Sequence, residues 1–181
     1  MPIIHMMGPN AIGKTTAATR WSEKYGSRIA VVLADIQMEV VGDVKTKVRG
    51  WKGEQSEKKA LVEAIRTQYP VVLCESARTT TTTTYALPEE PVIILTCSPE
   101  AMDRNMKARC DRKGKTFRED YWKLDKLAYE SSRRYLTFAK KNLDPRQIKH
   151  FVIEDYATDW AAVDEYFFSL FRRLWNARNK P

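Results

Sequence analysis

The stretch that decides the fold lies near the amino terminus and reads Gly8-Pro9-Asn10-Ala11-Ile12-Gly13-Lys14-Thr15. It matches the pattern Gly-x-x-x-x-Gly-Lys-Ser/Thr, whose glycines let backbone amides approach phosphate oxygens closely. The lysine of this pattern adds a positive charge, and the final hydroxyl can bind Mg²⁺. An apolar run at residues 3–7 precedes the stretch, and a helix is predicted from about Lys14 to Tyr25, with Gly26 as its C-cap. The sequence therefore predicts a strand, a phosphate-binding loop (residues 8–15) and a helix, in that order.

The loop pattern also predicts which residues contact a bound nucleotide. Lys14 is the expected catalytic cation, and Thr15 is the expected metal ligand. The full set of expected nucleotide contacts within this segment is Gly8, Asn10, Ala11, Ile12, Gly13, Lys14, Thr15 and Thr16.

Apolar runs continue the alternation of strands and helices along the chain. Four more runs have the composition of buried strands: residues 29–34, 71–74, 92–97 and 151–153. Helical patterns separate them, at residues 56–69, after the N-cap Ser98, at residues 117–141, and after a cap at Thr158 or Asp159. This order predicts an α/β fold, a five-stranded parallel sheet with helices on both faces, in one domain covering residues 1–181.

Composition excludes several classes of protein. The chain has 181 residues, of which 43% are hydrophobic and 30% charged, so it is neither a disordered tail nor a membrane protein. The amino terminus lacks the features of a signal peptide, and we expect a cytoplasmic protein without membrane contact. The three cysteines show neither C-x-x-C spacing nor a nearby histidine cluster, so we expect no zinc site and no disulfide framework.

The positive charge is concentrated in one segment. The formal net charge is +8, and residues 101–150 carry 15 Lys and Arg against 7 Asp and Glu, whereas the rest of the chain is balanced. Such a block favours an anionic partner, whether polyphosphate, nucleic acid or a membrane surface. The alternative is a solvated helical hairpin with surplus lysines.

On the loop sequence and the order of strands, the chain resembles the P-loop kinases. This group includes nucleoside and nucleotide kinases, polynucleotide kinases, and viral kinases that phosphorylate 5-hydroxymethyluridine in DNA. The resemblance implies ATP and Mg²⁺ as cofactors, a substrate-binding region at residues 36–70, and a basic lid at residues 98–145.

Two carboxylates stand where such kinases need them. Asp35 ends the second predicted strand, and the resemblance implies that it is the general base for the acceptor hydroxyl. Glu75 follows the third predicted strand in a Walker B-like arrangement, and we expect it to hold Mg²⁺ through water. The alternatives are a helix N-cap for Asp35 and a capping or salt-bridging carboxylate for Glu75.

Arginines supply the expected phosphate contacts. The segment that begins at Ser98-Pro99-Glu100 resembles the lid of deoxynucleoside kinases, and we expect Arg109 to stabilise the transferred phosphoryl group. Glu75-Ser76-Ala77-Arg78 resembles the acid–arginine motif of the same kinases, but here the arginine stands three positions after the acid and not next to it. Further expected substrate contacts are Arg78, Arg104 and Arg112. A solvated helix face remains the alternative for each arginine after Ser98.

Aromatic residues give weaker signals. Tyr156 lies where similar kinases contact the ATP base, so it either stacks on adenine or packs in the protein. The substrate-binding region contains the basic residue Arg49 and, two positions later, the aromatic residue Trp51. Trp51 either stacks on a substrate base or is buried.

The sequence favours a kinase that acts on DNA. Its acceptor would be 5-hydroxymethyluridine in DNA or a polynucleotide end, because a polymeric acceptor accounts for the concentrated positive charge. The alternatives are a deoxynucleoside or nucleoside-monophosphate kinase and, second, a non-kinase P-loop NTPase. A GTPase would carry Asn-Lys-x-Asp, which the sequence lacks.

Overall fold

The computed structural model describes about two thirds of the chain. For the strands between residues 30 and 76 only the backbone is described. The described residues are 3–9, 11–26, 30–33, 37–38, 40–41, 48–49, 63, 71–76, 86–116, 133, 136–137 and 139–178.

The described chain alternates strands with helices. Its strands are β1 (Ile3–Gly8), β2 (Ala30–Leu33), β3 (Gln37–Met38), β4 (Val40–Val41), β5 (Val48–Arg49), β6 (Val71–Ser76), β7 (Val92–Thr96) and β8 (Ile148–Val152). Its helices are α1 (Lys14–Tyr25), α2 (Pro99–Arg112) and α3 (Tyr156–Arg178), with a short 3₁₀ helix at Pro145–Gln147.

Among the described residues, the main sheet has six strands in the order β4-β2-β6-β1-β7-β8, and β3 pairs with β5 in a separate two-stranded sheet. Pairing is parallel between all neighbours from β2 to β8, but β4 runs antiparallel to β2. The predicted five-stranded parallel sheet is therefore wrong: the sheet is mixed and six-stranded. The connection between Leu33 and Val40 is too short for the crossover that a parallel neighbour needs, so β4 must return antiparallel.

The central strands are buried on both faces because their side chains alternate between two apolar clusters. Ile4 and Met6 of β1 pack with buried residues of α1 and α3. Met7, from the opposite face of β1, packs with Val92 and with the helical residue Ala139. Period-two alternation in β1 and β7 thus places helical residues on each side of this part of the sheet.

An aromatic contact fixes α1 against α3. The rings of Trp21 and Phe167 are stacked, with 3.7 Å between centroids and an interplanar angle of 2°. The indole of Trp21 also donates a hydrogen bond to Asp164 at 2.7 Å. Helices α1 and α3 therefore pack directly against each other.

Several local predictions can be compared with the structure. The predicted helix at residues 14–25 is confirmed, and Ser98 caps α2 because its hydroxyl accepts from the Ala101 amide at 3.1 Å. The last helix begins at Tyr156, two residues earlier than the first predicted cap, because Asp155 accepts from the Ala157 amide at 2.7 Å. Most of the predicted helices at 56–69 and 117–141 lies outside the described residues. Within the described ranges, no helix is both long and apolar enough to cross a membrane.

Candidate nucleotide-binding site

The phosphate-binding loop begins where β1 ends against β7. A Cβ atom on Gly8 would lie 2.9 Å from the Leu95 Cβ and 3.0 Å from its carbonyl oxygen. Glycine is therefore required for the close approach of the two strands. Farther along the loop, Ala11 has a φ of 59° and Gly13 a φ of 103°, so the chain turns sharply before α1.

The amino terminus of α1 presents a positive end to the loop. Gly13 is its N-cap and has no side chain that could cap the helix, and the first turn contains no acidic residue. Thr15 and Thr16 in that turn are exposed. Because the first amides and the helix dipole both favour negative charge, this end of α1 suits an anion such as phosphate.

Lys14 lies over the loop that precedes it. The side chain is only 5% exposed, and Nζ donates hydrogen bonds of 2.8 Å to the carbonyl oxygens of Gly8 and Pro9. The ammonium therefore lies beside the loop carbonyls at the carboxyl end of β1.

Helix α3 closes the other side of the loop. The indole of Trp160 donates a 3.0 Å hydrogen bond to the carbonyl oxygen of Ile12. The ring of Tyr156 lies against Gly13, since a Cβ atom there would be 2.3 Å from Tyr156 Cε2. Tyr156 is 37% exposed and also contacts Trp160, with 5.8 Å between ring centroids. The residue predicted to contact the ATP base therefore lies next to the phosphate-binding loop.

A second group of contacts joins α2 to the connection between β8 and α3. The Glu154 carboxylate accepts from the amide and the hydroxyl of Ser98, at 2.7 and 2.5 Å. Arg104 donates a 3.0 Å hydrogen bond to the Glu154 carbonyl oxygen. The beginning of α2 is therefore held at the carboxyl edge of the sheet.

Cys97 lies close enough to both parts of the site for their charges to affect its pKa. This buried residue follows β7, and its pKa is raised to about 11, first by burial and then by the negative charge of Glu154. The positive charges of Lys14 and Arg104 act in the opposite direction. The loop lysine and the Glu154 junction thus act on the same thiol, which remains protonated at neutral pH.

The other two lid arginines lie at the far end of α2. Arg109 and Arg112 occupy the last turn of the helix, and both are exposed. Of the three arginines predicted on this helix, Arg104 is the one for which the structure gives a contact with the β8–α3 connection. The role of each in binding phosphate stays a prediction.

The remaining predicted site residues have less structural description. Glu75 pairs with Met7 in the sheet, so its backbone lies directly beside the end of β1 and next to the loop. Arg49 pairs with Gln37 in the small sheet. The other predicted residues, Asn10, Asp35, Trp51 and Arg78, lie outside the described residues.

The part of the chain that the structure describes contains no group of three His, Cys, Asp or Glu side chains that could hold a metal ion. The exposed hydroxyl of Thr15 at the start of α1 is the described oxygen ligand that the loop pattern assigns to Mg²⁺. The pattern fits a cation that is bound mainly through phosphate oxygens and water.

Sequence reasoning missed two residues of this site. Glu154 follows the apolar run at residues 151–153, and the same signal identified Asp35 and Glu75 as candidates. Trp160 is four residues after Tyr156 and therefore lies on the same face of α3. Both signals were present in the sequence, but the partners lie far away along the chain.

Comparison with known proteins provides no family assignment. The sequence matches no protein-family model and no curated protein sequence.

Proposed function

We propose that this chain is an ATP-dependent kinase that transfers the γ-phosphate to a hydroxyl of DNA, either 5-hydroxymethyluridine within DNA or a polynucleotide end. One observation carries the proposal. The sequence Gly8–Thr15 lies between a buried strand and a helix, with Gly13 at a φ of 103° as the helix N-cap and Lys14 folded over the loop. That is the context in which this sequence pattern binds nucleotide phosphates.

The residues of the loop fit ATP and Mg²⁺. The uncapped end of α1 offers amides and a positive dipole to the phosphates, and Lys14 adds a full positive charge. Thr15 and Glu75 are the residues assigned to Mg²⁺, which when bound neutralises charge on the phosphate oxygens. We assign Tyr156 to one side of the nucleotide, and its position against Gly13 supports this assignment.

Transfer needs a group that takes the proton of the acceptor, and we assign this role to Asp35. The acceptor oxygen forms a bond to the γ-phosphorus while the bond to the bridging oxygen of ADP breaks. The hydroxyl proton passes to the Asp35 carboxylate. Arg109 is assigned to the charge on the transferred group, because its planar guanidinium offers several donors to phosphate oxygens.

DNA is the proposed acceptor because the excess of positive charge lies in the segment that contains α2. Four exposed basic residues cluster at the end of that helix and just after it: Arg109, Arg112, Lys113 and Lys115. Contacts with several phosphates of one polymer add their electrostatic contributions, whereas a single nucleotide offers few phosphates. Arg104, Arg49 and Arg78 remain proposed contacts to substrate phosphates, and Trp51 remains a proposed stacking partner for a substrate base.

The experiment incubates the purified chain with γ-labelled ATP, Mg²⁺ and parallel acceptors: 5′-hydroxyl DNA, 5-hydroxymethyluracil DNA, free nucleosides and nucleoside monophosphates. We expect label on a DNA acceptor, and a loss of about 10²-fold or more in Lys14→Ala. Label on free nucleosides or nucleotides alone would identify a small-molecule kinase. Phosphate release without label on any acceptor would identify a non-kinase NTPase.

The DNA contact itself has a separate test. Removal of two phosphate contacts in Arg109→Ala/Arg112→Ala should lower the slope of log affinity against log salt by about 2. The matched control is Arg172→Ala/Arg173→Ala, which removes the same charge from two exposed positions on α3. Equal slopes in the two double variants would contradict a DNA-binding role for the end of α2.

A further inference from the structure

We propose that Glu154 is a positioning residue that fixes the beginning of α2, and with it the arginines of that helix, relative to the phosphate-binding loop. The inference rests on the proposed kinase function and adds to it a residue that the loop pattern does not assign. Glu154 is assigned no contact with a reacting group, and it acts through α2 and α3.

Glu154 contacts α2 through two different groups. Its carboxylate accepts from the Ser98 amide at 2.7 Å and from the Ser98 hydroxyl at 2.5 Å, while the Ser98 hydroxyl itself accepts from the Ala101 amide. Its carbonyl oxygen accepts from Arg104 one and a half turns farther along the helix, at 3.0 Å. These contacts fix both the start and the rotation of α2.

The same residue is held to α3. Its amide donates to Asp159 Oδ2 at 2.7 Å, and the amide of Asp155 donates to the same oxygen at 2.8 Å. The pKa of Asp159 is lowered by these two backbone hydrogen bonds, so the carboxylate stays charged at neutral pH. The next residue, Trp160, donates to the Ile12 carbonyl oxygen in the loop.

A continuous series of contacts therefore runs from α2 through Glu154 and the first turn of α3 to the loop. The electrostatics of Cys97 agree with this arrangement, since its thiol responds to Glu154, Lys14 and Arg104 together. Two helices that leave the same sheet edge are thus fixed to each other at the point where phosphate is proposed to bind.

Small movements at this junction are enlarged along α2. Arg109 lies eleven residues beyond Ser98, which corresponds to about 16 Å along a helix. A tilt of about 5° at Ser98 would displace Arg109 by about 1.4 Å over that length. A displacement of about 1 Å in a group that contacts the transition state can reduce the rate by about 10²-fold.

The experiment compares Glu154→Ala with the conservative variant Glu154→Gln and with Glu165→Ala, a control on an exposed position of α3. A glutamine can keep both contacts, because its amide oxygen accepts from the Ser98 amide and its NH₂ donates to the Ser98 hydroxyl. We expect Glu154→Ala to lower kcat about 10- to 100-fold with KM for ATP changed less than about threefold. Glu154→Gln and Glu165→Ala should stay within about threefold of the unsubstituted chain in both constants.

Amide hydrogen exchange gives a readout that does not depend on catalysis. The Ser98 amide should exchange about tenfold faster or more in Glu154→Ala, which corresponds to the loss of one hydrogen bond to a charged group. Glu154→Gln should retain the slow exchange. Circular dichroism and the melting temperature of each variant establish that it is folded.

The outcomes separate this inference from the proposed function. If the unsubstituted chain labels no acceptor, the kinase proposal fails, and the Ser98 amide alone then decides whether Glu154 fixes α2. Unchanged exchange in Glu154→Ala overturns the inference in either case. A raised KM for ATP at unchanged kcat, or an equal loss of kcat in Glu154→Ala and Glu154→Gln, would also overturn it, because neither is the effect of a positioning contact.

Discussion

Replacing Gly13 with alanine would place a Cβ atom where the phosphate-binding loop has no room for one. That atom would lie 2.3 Å from Tyr156 Cε2 and 3.0 Å from both Tyr156 Cδ2 and Trp160 Nε1. The backbone also has a φ of 103°, which L-residues with a side chain rarely adopt. Gly13→Ala therefore combines two destabilising effects, the overlap with the rings and the unfavourable backbone conformation.

The magnitude follows from these two terms. A residue held in such a backbone region costs about 1–3 kcal/mol. Overpacking against the rings adds about 1–3 kcal/mol, and the lower half of that range applies because the partly exposed Tyr156 can move aside. We therefore expect Gly13→Ala to lower the free energy of unfolding by about 2–5 kcal/mol, a large part of the ~5–15 kcal/mol of an ordinary domain.

Equilibrium urea denaturation measures this loss, and the chain offers a matched control. Gly114 also has a positive φ, 59°, but a Cβ atom there meets nothing within 4 Å. Gly114→Ala should therefore lose only about 1–2 kcal/mol, the cost of the backbone alone. In the double variant Gly13→Ala/Tyr156→Ala, the overlap with Tyr156 is removed, and the loss due to the alanine should shrink by about 1 kcal/mol. Equal losses in Gly13→Ala and Gly114→Ala would refute the argument that the rings close over the loop.

Three further predictions concern other parts of the chain. Glu90→Ala should lower the free energy of unfolding by about 3–5 kcal/mol in urea, because the buried Glu90 carboxylate bonds with the buried His5 ring and accepts from the amides of Ile3 and Leu87, all of which would lose this partner. A loss below about 1 kcal/mol would contradict this. Asp35→Asn should abolish phosphoryl transfer while ATP affinity by calorimetry changes little; near-normal turnover would exclude Asp35 as the base. Burial and the charge of Lys140 lower the pKa of His150 below its ordinary 6.5. Below about pH 6.5 the unfolded chain therefore binds more protons at this residue than the folded chain, so the stability of the folded state falls as the pH drops through that value. The fall in urea midpoint between about pH 7 and pH 5 should be smaller in His150→Gln. An unchanged fall in this variant would contradict a contribution of His150 to the pH dependence of stability.

Local sequence signals predict the loop and its helix well. Gly13 and Lys14 are fixed by a pattern of eight residues, and α1 ends where Gly26 allows a positive φ of 55°. Ser98 before a proline likewise predicts the start of α2, because the capping contact involves residues only three apart. In each case the interaction that decides the structure is contained in a few neighbouring residues.

The arrangement of strands is predicted less well because three of the described strands are very short. β3, β4 and β5 contain two residues each, which is too few for a period-two pattern to emerge. The antiparallel pairing of β4 follows from the short connection after β2, not from the composition of either strand. Prediction from hydrophobic patterns therefore finds the longer apolar strands and misses the edge strand β4.

The contacts of the site depend on pairs that are distant in sequence. Glu154 and Ser98 are 56 residues apart, and Trp160 and Ile12 are 148 apart. A sequence shows that an acidic residue follows a strand, but the strand order decides which helix it meets. In this sheet β8 lies beside β7, so the residue after β8 meets the residue that begins α2.

The structure also shows that several charges of the basic segment, which gives the chain its net charge of +8, are paired within the protein. Within the basic segment, Lys107 pairs with Asp103 at 2.7 Å, Arg146 pairs with Asp144 at 2.6 Å, and Arg104 is bonded to a carbonyl oxygen. Contact of all eight excess charges with DNA phosphates would weaken binding about 20,000-fold between about 50 and 200 mM salt. Contact by only the four exposed residues at the end of α2 would weaken it about 150-fold over the same range. Because Lys107, Arg146 and Arg104 already have partners within the protein, we expect the proposed DNA contact to show a salt dependence closer to the smaller value.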